Sequence, residues 1–234
     1  MSIDNITTEE VSVLQLSDSF FPTGMYATSN GLEALFYSRR IRDPNELRDL
    51  IKVYVERQIG PTDCAALGNS YEYVKKKDLK GVIEVDQITS SMKLVKEIRE
   101  TSTRAGTQLL KCLSYFIADN ELLNEYQDSI KNGQASGVYP VALAVGTSSL
   151  NISKRKAGLT MIYAFLVSMV GAALRLGMLQ HFDGQKIIHE LKPRIVEVVN
   201  SNINRPITDM WQFAPGIDIF QIAHERMPSK MFIT

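Results

Sequence analysis

Apolar residues return every three or four positions along most of this chain, the spacing of one buried helix face, while the strict alternation of a half-buried strand is scarce. Thr7 and Glu10 form a capping-box pattern, so a helix begins there and carries Val11 and Leu14 before fading into a loop at Pro22-Thr23-Gly24. Helix resumes near Ser29 or Asn30, with Leu32, Leu35 and Phe36 on one face. The clearest start is Asp43-Pro44-Asn45-Glu46: an N-cap, a proline where its missing N–H costs nothing, and a glutamate at N3. Leu47, Leu50, Ile51 and Tyr54 follow, and Gly60-Pro61 is expected to stop this helix.

A new helix from about Thr62 should end at Lys75-Lys76-Lys77, like charges that suit the negative end of the helix dipole. Ile88, Met92, Val95 and Ile98 make one further stripe, with Lys93/Glu97 and Lys96/Glu100 placed on its exposed side. Leu109, Leu110, Leu113 and Phe116 make another that ends near Asp119-Asn120, and a short helix around Leu122, Leu123 and Tyr126 closes at Asn132-Gly133. Ala142 to Leu150 reads as a buried helix. Asp183-Gly184 opens a helix with Ile187, Leu191, Ile195 and Val198, which Pro193 is expected to kink at Lys192.

Between Ala157 and Leu174 lie eighteen residues without a charge, long enough to raise the question of a membrane span. Gly158, Thr160, Ser168, Gly171, Ala172 and Ala173 dilute that run, and the rest of the chain is amphipathic. A central helix buried on all sides is the better reading. The expectation is therefore an all-α chain, residues 1–234 forming one domain of roughly ten helices around a buried central helix. Residues 203–234, with Pro206, Pro215 and Pro228, form an irregular tail of short turns or brief helices, open to ordering by partners.

Composition narrows function mainly by exclusion. Lys and Arg total 26 and Asp and Glu total 26, so the net charge is zero and neither a nucleic-acid footprint nor a polybasic membrane surface is expected. The opening MSIDNITTEE has no basic and apolar leader pattern, and two cysteines, Cys64 and Cys112, suit a reducing cytoplasm. No Gly-Lys-Ser/Thr occurs, so a phosphate-cradling loop of that kind is missing from the sequence. Gly133-Gln-Ala-Ser136-Gly137 puts its serine one place late for a nucleophile elbow. Ser90 and Lys93 satisfy Ser-x-x-Lys, the thread by which a small hydrolase could hang, but an exposed helix face accounts for them as well. His181 and His189 stand eight positions apart, about 12 Å along a helix and too far to share an ion; with His224 and the two cysteines they make no metal-ligand pattern.

What core packing leaves unexplained is a set of polar and glycine-rich clusters: Asp18 to Gly24 with Ser29 to Glu33, Arg175 directly after the uncharged helix, and His224-Glu225 followed by Met231-Phe232-Ile233. Taken from the residues alone, these describe an all-helical interaction protein. Taken together they resemble the urease accessory protein UreF family. Leu14 to Gly24 with Ser29-Asn-Gly-Leu-Glu33 resembles that family's N-terminal signature, and Ser102-Thr-Arg104-Ala-Gly106 its middle motif. Tyr139-Pro140 through Gly146, Ala172-Ala-Leu-Arg-Leu176 with Asp183-Gly-Gln185, and His224-Glu225 with Ser229-Lys-Met-Phe232 follow in order. Departures occur at Met25, Tyr26 and Thr28, at Met178 to Phe182, at Val138 in place of a histidine, and at Lys230 in place of an arginine. Lysine keeps the charge of arginine but loses its planar fork.

The resemblance implies an all-α accessory protein without catalysis of its own, with a homodimer that binds a UreD/UreH-type partner. That assembly would recruit the UreG-type GTPase and engage apo-urease in the cytoplasm, with no nucleic acid and no membrane involved. No resident cofactor is implied; nickel is handled transiently by the complex. Partner-binding residues carried over are His224, Glu225, Lys230, Arg175, Asp18, Pro22, Gly24, Ser29, Gly31 and Glu33; Arg104, Asp183 and Gln185 match motifs that could be structural. The competing reading is a helical regulatory adaptor for another GTPase or metalloenzyme.

Overall fold

The computed structural model describes residues 6–117 and 120–234, and the expectations that fall on the first five residues and on Asp119 lie outside them. Among the described residues the chain is helical throughout, with no strand. The α-helices are α1 (Thr8–Ser17), α2 (Leu32–Tyr37), α3 (Pro44–Tyr54), α4 (Ala65–Lys75), α5 (Leu79–Met92), α6 (Lys96–Leu113), α7 (Glu121–Lys131), α8 (Tyr139–Ser149), α9 (Lys154–Arg175), α10 (His181–Asn202) and α11 (Pro215–Glu225). Short 3-10 turns occur at Met25–Ala27 and Ile207–Asp209.

The centre is α9, the uncharged run. By length and composition it could cross a membrane, yet two-thirds of its most apolar stretch is buried inside the protein, packed by α10, α8, α1 and α4. Helix α8 is its apolar neighbour, with every residue from Tyr139 to Thr147 buried. Four of its small residues are contact points: Ala157, Gly158, Ala172 and Ala173 are buried, letting neighbouring helices approach closely, whereas Gly171 meets no neighbour.

Several sequence expectations are redrawn by packing. Gly60-Pro61 does not stop α3. The chain widens into a π-helical segment, Val55–Cys64, and runs on into α4. The wider turn accommodates a proline that supplies no N–H, and it frees carbonyls for other donors. Arg57 and Pro61 use theirs to accept the N–H groups of Phe213 and Trp211 at 3.1 and 3.4 Å, and the Thr62 hydroxyl donates to the Trp211 carbonyl at 2.7 Å. Gly60 is required here, since a Cβ would lie 2.5 Å from Val198 Cγ1 of α10. The segment leading into α11 is thus laid along the π turn.

The stripe from Ile88 to Ile98 is also broken. Helix α5 ends at Met92, and Lys93 adopts an extended conformation with its side chain turned inward onto Asp63 at 2.6 Å. Lys93 is buried, not exposed, and its carbonyl accepts from Arg99 Nη1 at 2.8 Å. That ion pair removes Lys93 from any Ser90–Lys93 face. Pro193 is carried inside an unbroken α10, and the tail holds a three-turn helix, α11, packed on α2 and α6 of its own chain.

One buried carboxylate went unnoticed in the sequence. Asp86 lies on the apolar face of α5 beside Val82, Val85 and Thr89, with no exposed surface. It accepts from Tyr126 Oη at 2.8 Å and from the amides of Val138 and Gly137 at 2.8 and 3.3 Å, with a further close bond from the Ser136 amide. Burial raises its pKa from the ordinary aspartate value, against the pull of those donors, and the same burial pushes Tyr126 well above the usual phenol range. One side chain therefore ties α5, α7 and the entry to α8 together. Asp86→Ala strands four buried donors at about 1–3 kcal/mol each before relaxation, so a loss of at least about 3 kcal/mol is expected in urea unfolding. Asp86→Asn, which keeps one acceptor oxygen, should cost less; equal stability of all three forms would contradict this assignment.

Candidate functional site

The polar clusters of the two chain ends meet in one seam. After α1, Asp18 turns the chain, its Oδ1 accepting the Phe20 amide at 2.9 Å, so that Phe21 is buried while Phe20 faces solvent. Further on, Gly31 begins α2 with φ +87°, a left-handed conformation natural to glycine, and a Cβ there would press on the α11 backbone at Gln221. Asn30, beside it, offers its carbonyl to Gln221 Nε2 at 3.4 Å and to the Tyr54 hydroxyl. The start of α2 and the middle of α11 are therefore in backbone contact.

Glu33, in the first turn of α2, is almost fully buried at 1% exposure, and His224, in the last turn of α11, at 0%. The carboxylate of Glu33 receives the amides of Met231 at 2.8 Å and Phe232 at 3.1 Å, and its Oε2 stands 3.1 Å from His224 Nε2. The other ring nitrogen, Nδ1, lies 2.8 Å from Oε2 of Glu97 in the first turn of α6. Lys230 Nζ reaches Glu97 Oε1 at 2.5 Å and the Glu225 carbonyl at 3.0 Å. A neutral imidazole has one N–H, so both ring bonds are made together only when the ring or one facing carboxyl holds the additional proton.

Below this cluster the last residues pair with the N-terminal loop. The Ser29 amide donates to the Thr234 carbonyl at 2.7 Å, the Ser29 hydroxyl bonds the same oxygen, and the Ile233 amide donates to Ala27 O at 2.9 Å. Arg175 closes the other side: its guanidinium carbon lies 3.9 Å from the Tyr26 ring centre and 4.5 Å from that of Phe232. Its Nε donates to Gly171 O at 3.1 Å, and Nη2 donates to the Tyr26 carbonyl. Burial lowers its pKa from the ordinary arginine value.

Ser29, Gly31, Glu33, Arg175, His224 and Lys230 thus converge. Within this chain they differ in exposure. Ser29, Gly31, Glu33 and His224 are buried, holding the two ends together, and His224 has no side-chain surface to offer in this arrangement. Lys230 and Glu225 face solvent, and Arg175 is half-buried. Asp18, Pro22 and Gly24 are exposed in the loop that follows α1.

The remaining motif residues go elsewhere. Asp183 completes a capping box on α10 by accepting the Gln180 amide at 3.1 Å, Gln185 is exposed one turn on, and Arg104 is exposed on α6. Cys64 and Cys112 are free thiols; burial pushes Cys64 up to about 12. No group of three or more His, Cys, Asp or Glu side chains is placed to hold a metal ion among the described residues. Sequence reasoning missed Glu97, which looked like an exposed partner of Lys93. Its only signal was its position in the first turn of α6, where a carboxylate suits the helix N-terminus.

Fold and seam define an all-α domain whose distinctive polar groups join its own two ends. The family model described as UreF matches residues 41–192. The chain is 31% identical over 230 residues to the urease accessory protein UreF of Trichodesmium erythraeum (strain IMS101), covering 98% of this chain and 99% of that one. It is 29% identical to the UreF of Bacillus sp. (strain TB-90), over 96% of this chain and 98% of the relative, and 27% identical to that of Yersinia enterocolitica, over 95% and 96%. The chain belongs to the UreF family of urease accessory proteins.

Magnitudes separate the members of the seam. Removing the Glu33 carboxylate leaves an imidazole and two amides without their acceptor in a buried place, a loss of about 3–5 kcal/mol. Removing Lys230 breaks a pair whose side chains keep 25% and 15% of their exposure, worth about 1 kcal/mol or less. Chemical denaturation should therefore rank Glu33→Ala well below Lys230→Ala, and proteolysis should clip residues 226–234 readily only in the former. Equal destabilisation by the two would contradict the cluster as described.

Proposed function

We propose that this chain is a cytoplasmic scaffold for urease maturation. It binds a UreD/UreH-type accessory protein as a homodimer, and the assembly recruits and regulates a UreG-type GTPase for GTP-dependent nickel insertion into apo-urease. Support comes chiefly from family membership that runs through the closing segment as well as the helical body, with relatives matched over 95–98% of this chain. The chemistry is compatible. The sequence has no Gly-Lys-Ser/Thr loop, so GTP turnover belongs to a partner, and nickel is cargo of the assembly instead of a resident cofactor. The protein is read as contributing shape and contacts, without a catalytic step of its own.

Within this reading the seam is the platform. Buried Glu33 and His224 fix where the last residues lie, and Lys230, Glu225 and the 58%-exposed Met231 form the face that GTPase recruitment would use. The test is co-purification of the full chain with its UreD/UreH-type and UreG-type proteins, with and without GTP and nickel. A stable assembly is expected, with GTPase recruitment weakened at least tenfold by the pair Glu225→Lys and Lys230→Glu while the first partner stays bound. Absence of binding to either protein under every condition would refute the proposal.

A further inference from the structure

We propose that an internal cavity beside the π segment is a binding site for a small uncharged carboxamide. The cavity has a volume of about 100 Å³ and is bounded by the Met25–Asn30 loop, the π segment, the junction of α5 and α6, the start of α8, α9 and α11. Ile59, Val95, Ile98, Ala105, Met161 and Phe165 give it apolar walls. Leu94, 71% exposed at the α5–α6 junction, also lines it and places its mouth there. A cavity of about 150 Å³ accepts benzene, so this one takes a ligand of no more than about five or six non-hydrogen atoms.

Buried polar groups without partners set this cavity apart. The Lys93 side chain keeps only 7% of its exposure. Its ammonium carries three N–H groups, of which one is used, in the 2.6 Å bond to Asp63 Oδ1. The second oxygen of Asp63 accepts no bond among the described residues. Tyr139 is 8% exposed; its amide donates to Ser102 Oγ at 3.2 Å, while its phenol hydroxyl has no partner among the described residues. Burial holds that phenol above the ordinary tyrosine range, so it keeps its proton and stays a donor. The Thr101 hydroxyl is buried and unpartnered as well. These four residues line one cavity. Each such group left without a bond away from water costs about 1–3 kcal/mol, and a charge costs more, so their convergence fits a place shaped for a ligand better than one shaped by packing.

The paired charges select against an ion. Lys93 and Asp63 neutralise each other, so an anion would face the carboxylate and a cation the ammonium, and either would lose its own hydration on entry. An uncharged ligand whose carbonyl accepts from Lys93 and whose N–H donates to the open Asp63 oxygen uses both members of the pair. A carboxamide carries those two groups in one plane, and a short carbon chain on it suits the apolar walls. Gln58, Ile59 and Asp63 all reach the cavity from the π segment, a kind of turn that recurs at functional sites because it re-aims side chains. Asn30 and Gln221, whose 3.4 Å bond joins the start of α2 to α11, line the cavity too. An occupant would therefore touch the elements that join the two chain ends. None of this depends on the scaffold function proposed above.

The experiment is an NMR titration of the full chain with propionamide, set against propionate and propylamine, which keep its size and carry a charge. Saturable shifts are expected at the backbone amides of Asn30, Gln221 and the stretch from Lys93 to Thr101, with a Kd of about 1 mM or tighter, well inside the ceiling for five non-hydrogen atoms. The two charged analogues should bind at least about tenfold more weakly. Tyr139→Phe removes a hydroxyl that no protein group uses, so it should keep the Tm of the unaltered chain while weakening propionamide about fivefold. Shifts that stay linear up to the highest concentration reached, equal affinity for the three compounds, or propionamide binding left unaltered by Tyr139→Phe would each overturn the inference.

Discussion

The buried carboxylate of Glu33 is the interaction on which the arrangement of this molecule's ends depends. A glutamate taken out of water is costly unless its oxygens are fully supplied with donors. Here the donors come from residues nearly two hundred positions away, the amides of Met231 and Phe232, with the ring of His224 against the same carboxylate. Because those amides belong to the last residues, satisfying Glu33 also decides where the chain ends. Glu97 and Lys230 then close the cluster at its solvent edge, and Phe232 comes to rest against the Arg175 guanidinium. The π segment contributes from a distance, since its freed carbonyls hold Trp211 and Phe213 and so aim α11 at α2.

How much of this was legible in the sequence follows from the range of each interaction. Helix starts are local, so Thr7 to Glu10 and Asp43 to Glu46 were readable: Asp43 does accept the amides of Asn45 and Glu46. In the second case Glu46 turns back one residue further than expected, to the Arg42 amide. The eighteen-residue apolar run was readable as a central helix because the rest of the chain supplies amphipathic faces to cover it. Gly60-Pro61 was misread because the π widening answers to α10 and to the 211–213 segment, neither of which local rules include. Lys93 was misread for the same reason: the carboxylate that draws it inside, Asp63, is thirty residues earlier.

The candidate site shows the same limit. Motif resemblance singled out Ser29, Glu33, Arg175, His224 and Lys230 without indicating that they share one seam, and it made no distinction between buried and exposed members. Yet those roles differ in kind. A histidine buried between two carboxylates fixes where the closing segment lies, while Lys230 and Glu225 are exposed beside it. Glu97 and Asp86 were overlooked because a carboxylate on a helix looks solvated until the helix facing it is known, although Asp86, on an apolar stripe, did carry a visible signal.

The most direct test of this account is residue-resolved hydrogen exchange of the unaltered full chain, read at the amides of Met231 and Phe232. If Glu33 anchors the closing segment, those two amides exchange only through an opening that also frees the Glu33–His224 pair, with protection approaching that of α9. Exchange of both at the rate of an unstructured peptide, while α9 stays protected, would show that the ends are not joined and would contradict the central claim.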